Sequence, residues 1–390
     1  MLDDQHASGL TVIGTVEPAP RPANGSLRDA RAPMDGADIL PANSGSHLHL
    51  PLVSVTIPCF NQEAFIEAAI RSVAAQSYGA FECVVVDDMS TDDSRSRIQA
   101  CLDEMGDSRF RLLTQSVNRG QMATMMAGLD ATDAPLAAFL DGDDVWHPRF
   151  LECHVRTHLS TVGTAAMSSS DQLLMDSSGV MLAGGYPSFR LGDPRRSARA
   201  TGKYKEVEHG AAKLVFVDRE VSGWLWSSTS GMMFRRDVLS IIRVPDPDRI
   251  RMCADEYLAF AAHMLGGSVR IEQVLGSYRL HPKNGWADGR IIGSNAPLGA
   301  TRPDTGKAIR EALADRWCAI APGLEHMVPR VAMRRSLVAF IGWQAAFDLS
   351  DRNPQAAFLL HDWATPARRL WLRLVRLLPS RLRPKHFRSR

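Results

Sequence analysis

A short acidic run in this 390-residue sequence has the residue types and spacing that bind a divalent metal ion. Asp141, Asp143 and Asp144 surround Gly142 directly after the apolar residues 136–140. An Asp-Gly run also suits a turn or a helix cap, but its place at the end of an apolar, buried strand favours a site. Mg²⁺ and Mn²⁺ prefer oxygen ligands, so we expect Asp141 and Asp143 to hold one of these ions.

A second acidic pair, Asp87 and Asp88, follows the apolar residues 81–86. A carboxylate at the end of a buried strand needs hydrogen-bond donors or a cation. The N3–H of a uracil or thymine base would provide such a donor for Asp87.

The elements that position these acids alternate between strand and helix. Apolar runs predict strands at 53–57, 81–86, 110–113 and 136–140, and helical spacing predicts helices at 62–76, 90–105 and 121–129. This order indicates an α/β protein with a mostly parallel sheet covered on both faces. Ligands of such sheets bind at the carboxyl ends of the strands, where Asn61, Asp87, Asp88, Asn118 and Asp141 all lie.

Two common nucleotide-binding signatures are absent from the sequence. No G-x-G-x-x-G motif follows the first strand, and no G-x-x-x-x-G-K-[ST] motif occurs. A bound diphosphate would therefore need a cation in place of a glycine-rich backbone cradle.

Four segments resemble glycosyltransferase family 2. They are VTIPCFN at 55–61, VVVDDMSTD at 84–92, NRG at 118–120 and LDGDD at 140–144. The resemblance is strong over residues 52–160 and looser over 161–285. It implies a GT-A fold, a Rossmann-like sheet with helices on both faces, and an inverting enzyme that uses a nucleotide-diphosphate sugar, with a UDP- or dTDP-sugar favoured.

The same resemblance implies roles for individual residues. Asp87 would bind the base, Asp141 the ribose and donor, and Asp143 the metal and diphosphate. The remaining residues of the predicted nucleotide-sugar pocket are Pro58, Asn61, Glu63, Asp88, Asn118 and Gly120.

On the acceptor side, relatives place a general base at the start of a helix that corresponds here to Asp255 and Glu256. Asp255 is favoured, Glu256 is the second choice, and an ordinary acid at a helix N-terminus is the third possibility. Trp224 and Trp226 are candidates to stack on an acceptor sugar, although tryptophan also serves as a core anchor.

Arg279 and His281 alternate along the last strand of the domain, so their side chains point to the same face. In relatives such residues reach the diphosphate, and the alternative is an exposed polar strand. His154 and His158 have helical spacing without a neighbouring metal motif, and we expect them to be solvated.

The chain divides into four predicted regions. Residues 1–50 are a disordered leader, 51–290 the catalytic domain, 291–365 a helical extension and 366–390 a basic amphipathic tail. We expect the extension to pack on the catalytic domain or to make a dimer contact. Leu370, Trp371, Leu374, Leu377 and Leu378 share one face of a tail helix, with arginines opposite. That helix is predicted either to lie in an anionic membrane interface or to dock on its own protein.

Composition is that of a globular protein, with 45% hydrophobic residues and a formal net charge of +2. The charge is uneven, since residues 361–390 hold nine Arg and Lys against one Asp, a net +8, which leaves −6 for residues 1–360. Six cysteines without a C-x-x-C pair, and an N-terminus without a basic and apolar leader, indicate a cytoplasmic protein with reduced thiols. The tail would place it on the inner face of the cytoplasmic membrane.

The sequence therefore predicts a metal-dependent glycosyltransferase that modifies a saccharide or a lipid-linked acceptor, in the synthesis of a bacterial-type surface polysaccharide or glycolipid. A sugar nucleotidyltransferase and a catalytically silent nucleotide-sugar-binding protein are the alternatives. We predict no nucleic-acid partner, and the sequence leaves the oligomeric state open.

Overall fold

The computed structural model describes residues 50–160, 165–196, 202–209, 212–221, 223–282, 284 and 303–377. The predicted leader lies outside these residues apart from Leu50, and so does the end of the basic tail.

One mixed sheet organises the described residues. Its spatial order is β3-β2-β1-β4-β10-β6-β11-β9-β8, while β5 pairs with β11 and β7 with β6. The strands are β1 Val53–Cys59, β2 Phe81–Asp87, β3 Phe110–Thr114, β4 Leu136–Phe139, β5 Val145–Trp146, β6 Met167–Met175, β7 Met181–Ala183, β8 Tyr204–His209, β9 Ala212–Val217, β10 Met232–Arg235 and β11 Ser268–Arg279. Strands β3, β2, β1 and β4 are parallel, as predicted, and β10 joins them antiparallel.

Helices flank the sheet and extend beyond it. They are α1 Ile66–Ala74, α2 Ser94–Met105, α3 Gln121–Asp130, α4 Phe150–His158, α5 Pro187–Leu191, α6 Arg236–Ile242, α7 Ala254–Gly266, α8 Pro303–Leu324, α9 Arg330–Ile341, α10 Trp343–Arg352, α11 Ala357–Leu360 and α12 Pro366–Leu377. Helix α1 begins four residues later than predicted, because Asn61 has a left-handed φ of 55° and starts a turn there.

Two apolar cores hold these layers together. One lies among β1, β2, α1 and α4, and includes Val55, Ile70 and Phe150, which are completely buried. The other joins α3, β10 and α7 to the C-terminal helices, and buries Met122, Tyr257 and Trp317. The described part of the predicted extension therefore packs on the domain that contains the sheet and shares a core with it.

The C-terminal helices differ from membrane spans in length or polarity. Within the described ranges, no helix is both long enough and apolar enough to cross a bilayer. All six cysteines are free thiols, and Cys253 is the one that is not fully buried.

Candidate active site

A cleft of about 1730 Å³ opens at the carboxyl ends of β1 and β4. Pro58, Asn61, Asp88, Asn118 and Gly120 line one part of it. Asp141, Asp143, Asp255, Glu256 and His281 line its centre, and Trp224 lies further along. The structure thus brings most of the predicted site residues to one cavity.

Hydrogen bonds from the segment after β2 stabilise the turn after β1. The backbone N–H of Asn61 donates to Ser90 Oγ at 3.0 Å, and Asn61 Oδ1 accepts from the N–H of Thr91 at 2.8 Å. The carboxylate of Glu63 accepts from the N–H of Asp93 at 2.9 Å. Asn61 therefore lies on the cleft wall, whereas Glu63 stabilises the turn behind it.

The two acids after β2 have different surroundings. Asp87 is 2% exposed, and the N–H of Ser90 lies at the long distances of 3.3 and 3.4 Å from its two carboxylate oxygens. Asp88 accepts from the N–H groups of Arg119 and Gly120 at 2.7 and 2.8 Å. Burial raises the pKa of Asp88, and these two bonds act against that rise. Asp88 thus fixes the Asn118–Gly120 turn at the cleft, while Asp87 keeps acceptor capacity.

The acidic run after β4 concentrates negative charge in the centre of the cleft. Removal from water and the charges of Asp143 and Asp255 raise the pKa of Asp141 to about 8. Asp144 is completely buried, and burial followed by the charge of Asp143 raises its pKa well above the usual range. Asp144 Oδ2 has no hydrogen-bond partner in the described part of the chain.

Arg279 and His281 converge on Asp143, as their alternation predicts. Arg279 Nε donates to the carbonyl oxygen of Asp143 at 2.8 Å, and His281 Nε2 lies 2.9 Å from Asp143 Oδ2. The N–H of Arg279 also donates to Asp144 Oδ1 at 2.8 Å. Both side chains are nearly buried, so they are not part of an exposed polar strand.

These residues fit a divalent cation that is shared with a diphosphate. No group of three or more His, Cys, Asp or Glu side chains in the described ranges is arranged to hold a metal by itself. Asp141 and Asp143 provide two carboxylates, and Mg²⁺ commonly combines one or two carboxylates with substrate phosphates. The raised pKa of Asp141 shows that its negative charge is unfavourable in this cluster, and Asp144 Oδ2 is a buried acceptor without a partner among the described residues. A cation bound here would offset both.

The charge in this cluster gives a stability prediction for metal-free protein. The pKa of Asp141 is about 8 in the folded state against 3.8 for an ordinary Asp, so folded protein keeps a proton that the unfolded chain loses. This contribution to stability is complete below pH 3.8 and is lost as pH rises to about 8. In EDTA, the melting temperature should fall by several degrees between pH 5 and pH 8, because each kcal/mol of lost stability lowers it by roughly 2–4 °C. Asp141→Asn should flatten this slope, and an identical slope in both proteins would contradict the assignment.

The candidate base lies at the start of α7, in the same cleft as the acidic run. Burial, followed by the charge of Glu256, raises the pKa of Asp255 to about 6. Burial also raises the pKa of Glu256, while Arg310 on α8 acts to lower it. Asp255 is close enough to Asp141 for its charge to raise the pKa of Asp141. A carboxylate with a pKa near 6 is ionised at neutral pH and basic enough to accept a proton.

The two tryptophans predicted to contact the acceptor, Trp224 and Trp226, lie in different environments. Trp226 is completely buried and its indole N–H donates to Ser268 Oγ at 3.0 Å, so it is a core anchor that is not available to an acceptor. Trp224 lines the cleft and packs on Phe260 at 5.8 Å between ring centroids. Trp224 therefore keeps its place as a candidate acceptor residue.

The prediction that His154 and His158 are solvated is wrong for His154, and His158 is half-buried with a hydrogen-bond partner inside the protein. His154 is completely buried, with Nδ1 2.7 Å from Ser168 Oγ and Nε2 3.1 Å from Ser170 Oγ. His158 Nε2 lies 3.0 Å from Ser168 Oγ. Burial lowers the pKa of both rings, so these are neutral histidines that tie α4 to β6.

Several cleft residues have no signal in the sequence. Gln121, Arg251, Tyr186 and Tyr278 line the cavity, and so do residues of the extension, among them Arg310 on α8 and Phe340 on α9. These residues come from elements far apart in the chain, and neither a local motif nor a periodicity marks them.

Comparison with known proteins agrees with this geometry. The crystal structure of S. aureus TarS 1–349 superposes with a TM-score of 0.51 at 16% identity, covering 86% of this chain and 85% of that one. The likeness shows the fold, a GT-A glycosyltransferase fold with a C-terminal helical part.

The proteins with similar sequences are glycosyltransferases. Residues 54–169 match the family model "Glycosyl transferase family 2". An uncharacterized glycosyltransferase of Nostoc sp. is 29% identical over 232 residues, 60% of this chain and 66% of the relative. The Escherichia coli UDP-Glc:alpha-D-GlcNAc-diphosphoundecaprenol beta-1,3-glucosyltransferase WfgD is 36% identical over 104 residues, 27% of this chain and 40% of the relative. The matches thus span less than two thirds of either relative. Residues 54–169 are thus the part of the chain that matches glycosyltransferase family 2.

Proposed function

We propose that the protein transfers a sugar, with inversion at the anomeric carbon, from a nucleoside-diphosphate sugar to a hydroxyl group of a saccharide or lipid-linked acceptor. The observation that carries this proposal is the arrangement of one cleft. Asp255, Asp141, Asp143 and His281 all line it, Asp255 is near enough to Asp141 to raise the pKa of that carboxyl, and Arg279 contacts Asp143 from behind the lining.

In this reaction the Asp255 carboxylate accepts the proton of the acceptor hydroxyl as its oxygen attacks the anomeric carbon. The bond between that carbon and the diphosphate oxygen breaks, and the nucleoside diphosphate leaves from the opposite face. In this proposal Arg279 and His281, which both contact Asp143, donate hydrogen bonds that offset the charge on the departing diphosphate. A divalent ion on Asp141 and Asp143 would supply further Lewis-acid stabilisation of the diphosphate.

The proposal extends to the nucleotide base of the sugar donor. Asp87 has spare acceptor capacity at a nearly buried position next to Asp88 and beside Cys59, both of which line the cleft. This supports an N–H donor on the base, which uracil and thymine have. The name of the E. coli relative includes UDP-Glc as its donor, which agrees with this choice.

A thermal-shift screen tests the donor class. The melting temperature of the protein is measured with UDP-, GDP- and dTDP-sugars, and each sugar nucleotide is tested both with and without Mn²⁺. We expect a UDP- or dTDP-sugar to raise the melting temperature, with a larger rise when Mn²⁺ is present. No stabilisation by any sugar nucleotide at millimolar concentration would contradict the proposed function.

Residues of the C-terminal extension that line the cleft support an acceptor larger than a single free sugar. Phe340 on α9 packs on Phe260 of α7 at 4.4 Å between ring centroids, and Phe260 in turn packs on Trp224. These three aromatic residues line the same cleft as Asp255, and the exposed side chain of Arg310 is near enough to Glu256 to act on its pKa. An acceptor with an apolar segment and an anionic group, such as a lipid-linked saccharide phosphate, matches this lining.

Helix α12 supports contact with a membrane surface. Its inner side docks on the protein through Val375, which is buried, and through Arg369, which forms an ion pair with Asp351 at 2.6 Å. Leu370, Leu374 and Leu377 are 58%, 54% and 81% exposed. Exposed leucines beside arginines are typical of a helix lying in an anionic interface. The helix is thus docked on its own protein and still presents an apolar face outward.

A vesicle experiment tests this contact. Wild-type protein should co-sediment with vesicles that contain anionic lipid, and Leu374→Glu combined with Leu377→Glu should lower the association constant at least tenfold, because two apolar side chains are replaced by carboxylates that the anionic surface repels. The matched control is Leu191→Glu, which replaces an exposed leucine outside α12. Equal binding by the double variant, or by protein without residues 366–390, would contradict the membrane contact.

A further inference from the structure

Gln121 connects the donor side of the cleft to the helix that carries the candidate base. It is the first residue of α3 and lines the cleft. Its side-chain Nε2 donates to Asp141 Oδ1 at 3.0 Å, and its Oε1 accepts from the backbone N–H of Ala254 at 3.0 Å. One amide group therefore touches both sides of the proposed reaction.

The orientation of this amide is fixed by chemistry. A backbone N–H can only donate, so the amide oxygen must face Ala254, and Asp141 Oδ1 can accept from the NH₂ group whether or not the other carboxyl oxygen holds a proton. Rotating the amide by half a turn would place its NH₂ against the Ala254 N–H, and that bond would be lost. The two contacts therefore require glutamine in this one orientation.

Ala254 is the first residue of α7, so its N–H is one of the groups that a helix start leaves without an internal partner. The residue before it, Cys253, has a left-handed φ of 57° and makes no side-chain cap hydrogen bond. Gln121 supplies the missing acceptor from a different element. It acts as an external cap of the helix in which Asp255 is the second residue.

Backbone contacts make this connection rigid. The N–H of Gln121 donates to the carbonyl oxygen of Arg251 at 3.0 Å, and the N–H of Met122 donates to that of Ile250 at 3.2 Å. A Cβ atom at Gly120 would lie 2.7 Å from Arg251 Cα, so glycine is needed for this close approach. The start of α3 and the segment before α7 thus form one frame, and the Gln121 amide links that frame to Asp141.

We propose that Gln121 is a positioning residue that sets the separation between the donor carboxylate Asp141 and the base helix α7. Group transfer depends steeply on the distance and angle between the attacking oxygen and the anomeric carbon. Loss of the amide should therefore reduce turnover more than nucleotide binding. For its kinetic readout, this inference rests on the proposed function.

The first test uses Gln121→Met, which keeps the length of the side chain and removes both bonds. We expect turnover to fall about 10- to 100-fold, a loss within the range known for misplacement of reacting groups. The dissociation constant for UDP with Mn²⁺, measured by calorimetry, should change by less than threefold. The matched control is Gln115→Met, which removes a nearby glutamine hydrogen bond to Thr124 without touching Asp141 or α7.

Two further readouts do not depend on activity. Hydrogen–deuterium exchange at Ala254 should be faster in Gln121→Met than in wild type or Gln115→Met. In a double-mutant cycle, Gln121→Glu sets a second carboxylate against Asp141, and Asp141→Asn restores a donor–acceptor pair. The gain in melting temperature from Asp141→Asn should therefore be larger in the Gln121→Glu background than in wild type.

The outcomes separate this inference from the proposed function. If wild type transfers no sugar from any donor, the proposed function fails, and exchange and the cycle still decide whether the Gln121 bridge exists. The inference is overturned if Gln121→Met keeps at least half of wild-type turnover. It is also overturned if Gln115→Met loses as much turnover, or if Ala254 exchange is unchanged and the cycle is additive.

Discussion

Asp255→Asn is expected to reduce sugar transfer by about 10³-fold, within the range typical for removal of a general base. Asparagine keeps the size of the side chain and can still accept from the N–H of Glu256, a bond of 3.0 Å in the structure. It cannot accept the proton of the acceptor hydroxyl. The variant should therefore fold normally and bind UDP with Mn²⁺ with nearly the wild-type dissociation constant.

Glu256→Gln is the matched control and also gives a pH signature. Because the base must be ionised, wild-type turnover should rise with pH and level off above about pH 6, the pKa of Asp255. The charge of Glu256 contributes to that raised pKa, so Glu256→Gln should shift the rising limb to lower pH while keeping most of the turnover. If Glu256→Gln is the inactive variant and Asp255→Asn turns over normally, the two roles are reversed.

Asp143→Asn should have the second large effect, a loss of transfer on the order of 10³-fold that reflects several kcal/mol of charge stabilisation. Asp143 is contacted by both Arg279 and His281, and it is one of the two carboxylates that we propose to hold the cation. The amide weakens the interaction with His281 and removes a charged metal ligand. The variant should bind UDP equally with and without Mn²⁺, whereas wild type should bind it more tightly with the ion.

The control for this variant is Asp103→Asn on α2, which removes an exposed carboxylate that accepts from Gln99. It should leave both turnover and the Mn²⁺ effect unchanged. Calorimetry of UDP binding in the presence and in the absence of Mn²⁺ provides the comparison. An undiminished Mn²⁺ effect in Asp143→Asn would show that the cation is held elsewhere.

The parts of the site that lie at strand ends could be predicted from the sequence. In β1, β2 and β4 an apolar run stops directly before polar residues, and sheet topology brings those stops to one edge. Asn61, Asp88 and Asp141 are therefore found on the cleft, as the pattern predicts. The alternation of Arg279 and His281 likewise predicts their shared direction, and the structure adds that both reach Asp143.

Contacts between distant elements could not be predicted in this way. Gln121 and Ala254 are 133 residues apart, and a glutamine at the start of a helix carries no sign of a partner so far along the chain. Arg310 and Phe340 lie in the extension, where the sequence predicts helices but not which face is turned to the cleft. The errors at Trp226 and His154 have the same origin, since their hydrogen-bond partners are serines on other strands.

The most direct test of the central claim is the stereochemistry of transfer. The donor selected by the thermal-shift screen is incubated with wild-type enzyme and Mn²⁺, and the first-formed anomer is followed by ¹H NMR, with water as acceptor if no saccharide is used. Attack by a hydroxyl activated by Asp255, opposite the leaving diphosphate, predicts that an α-linked donor gives the β anomer first. Initial release of the α anomer, with the same stereochemistry as the donor, would contradict the account.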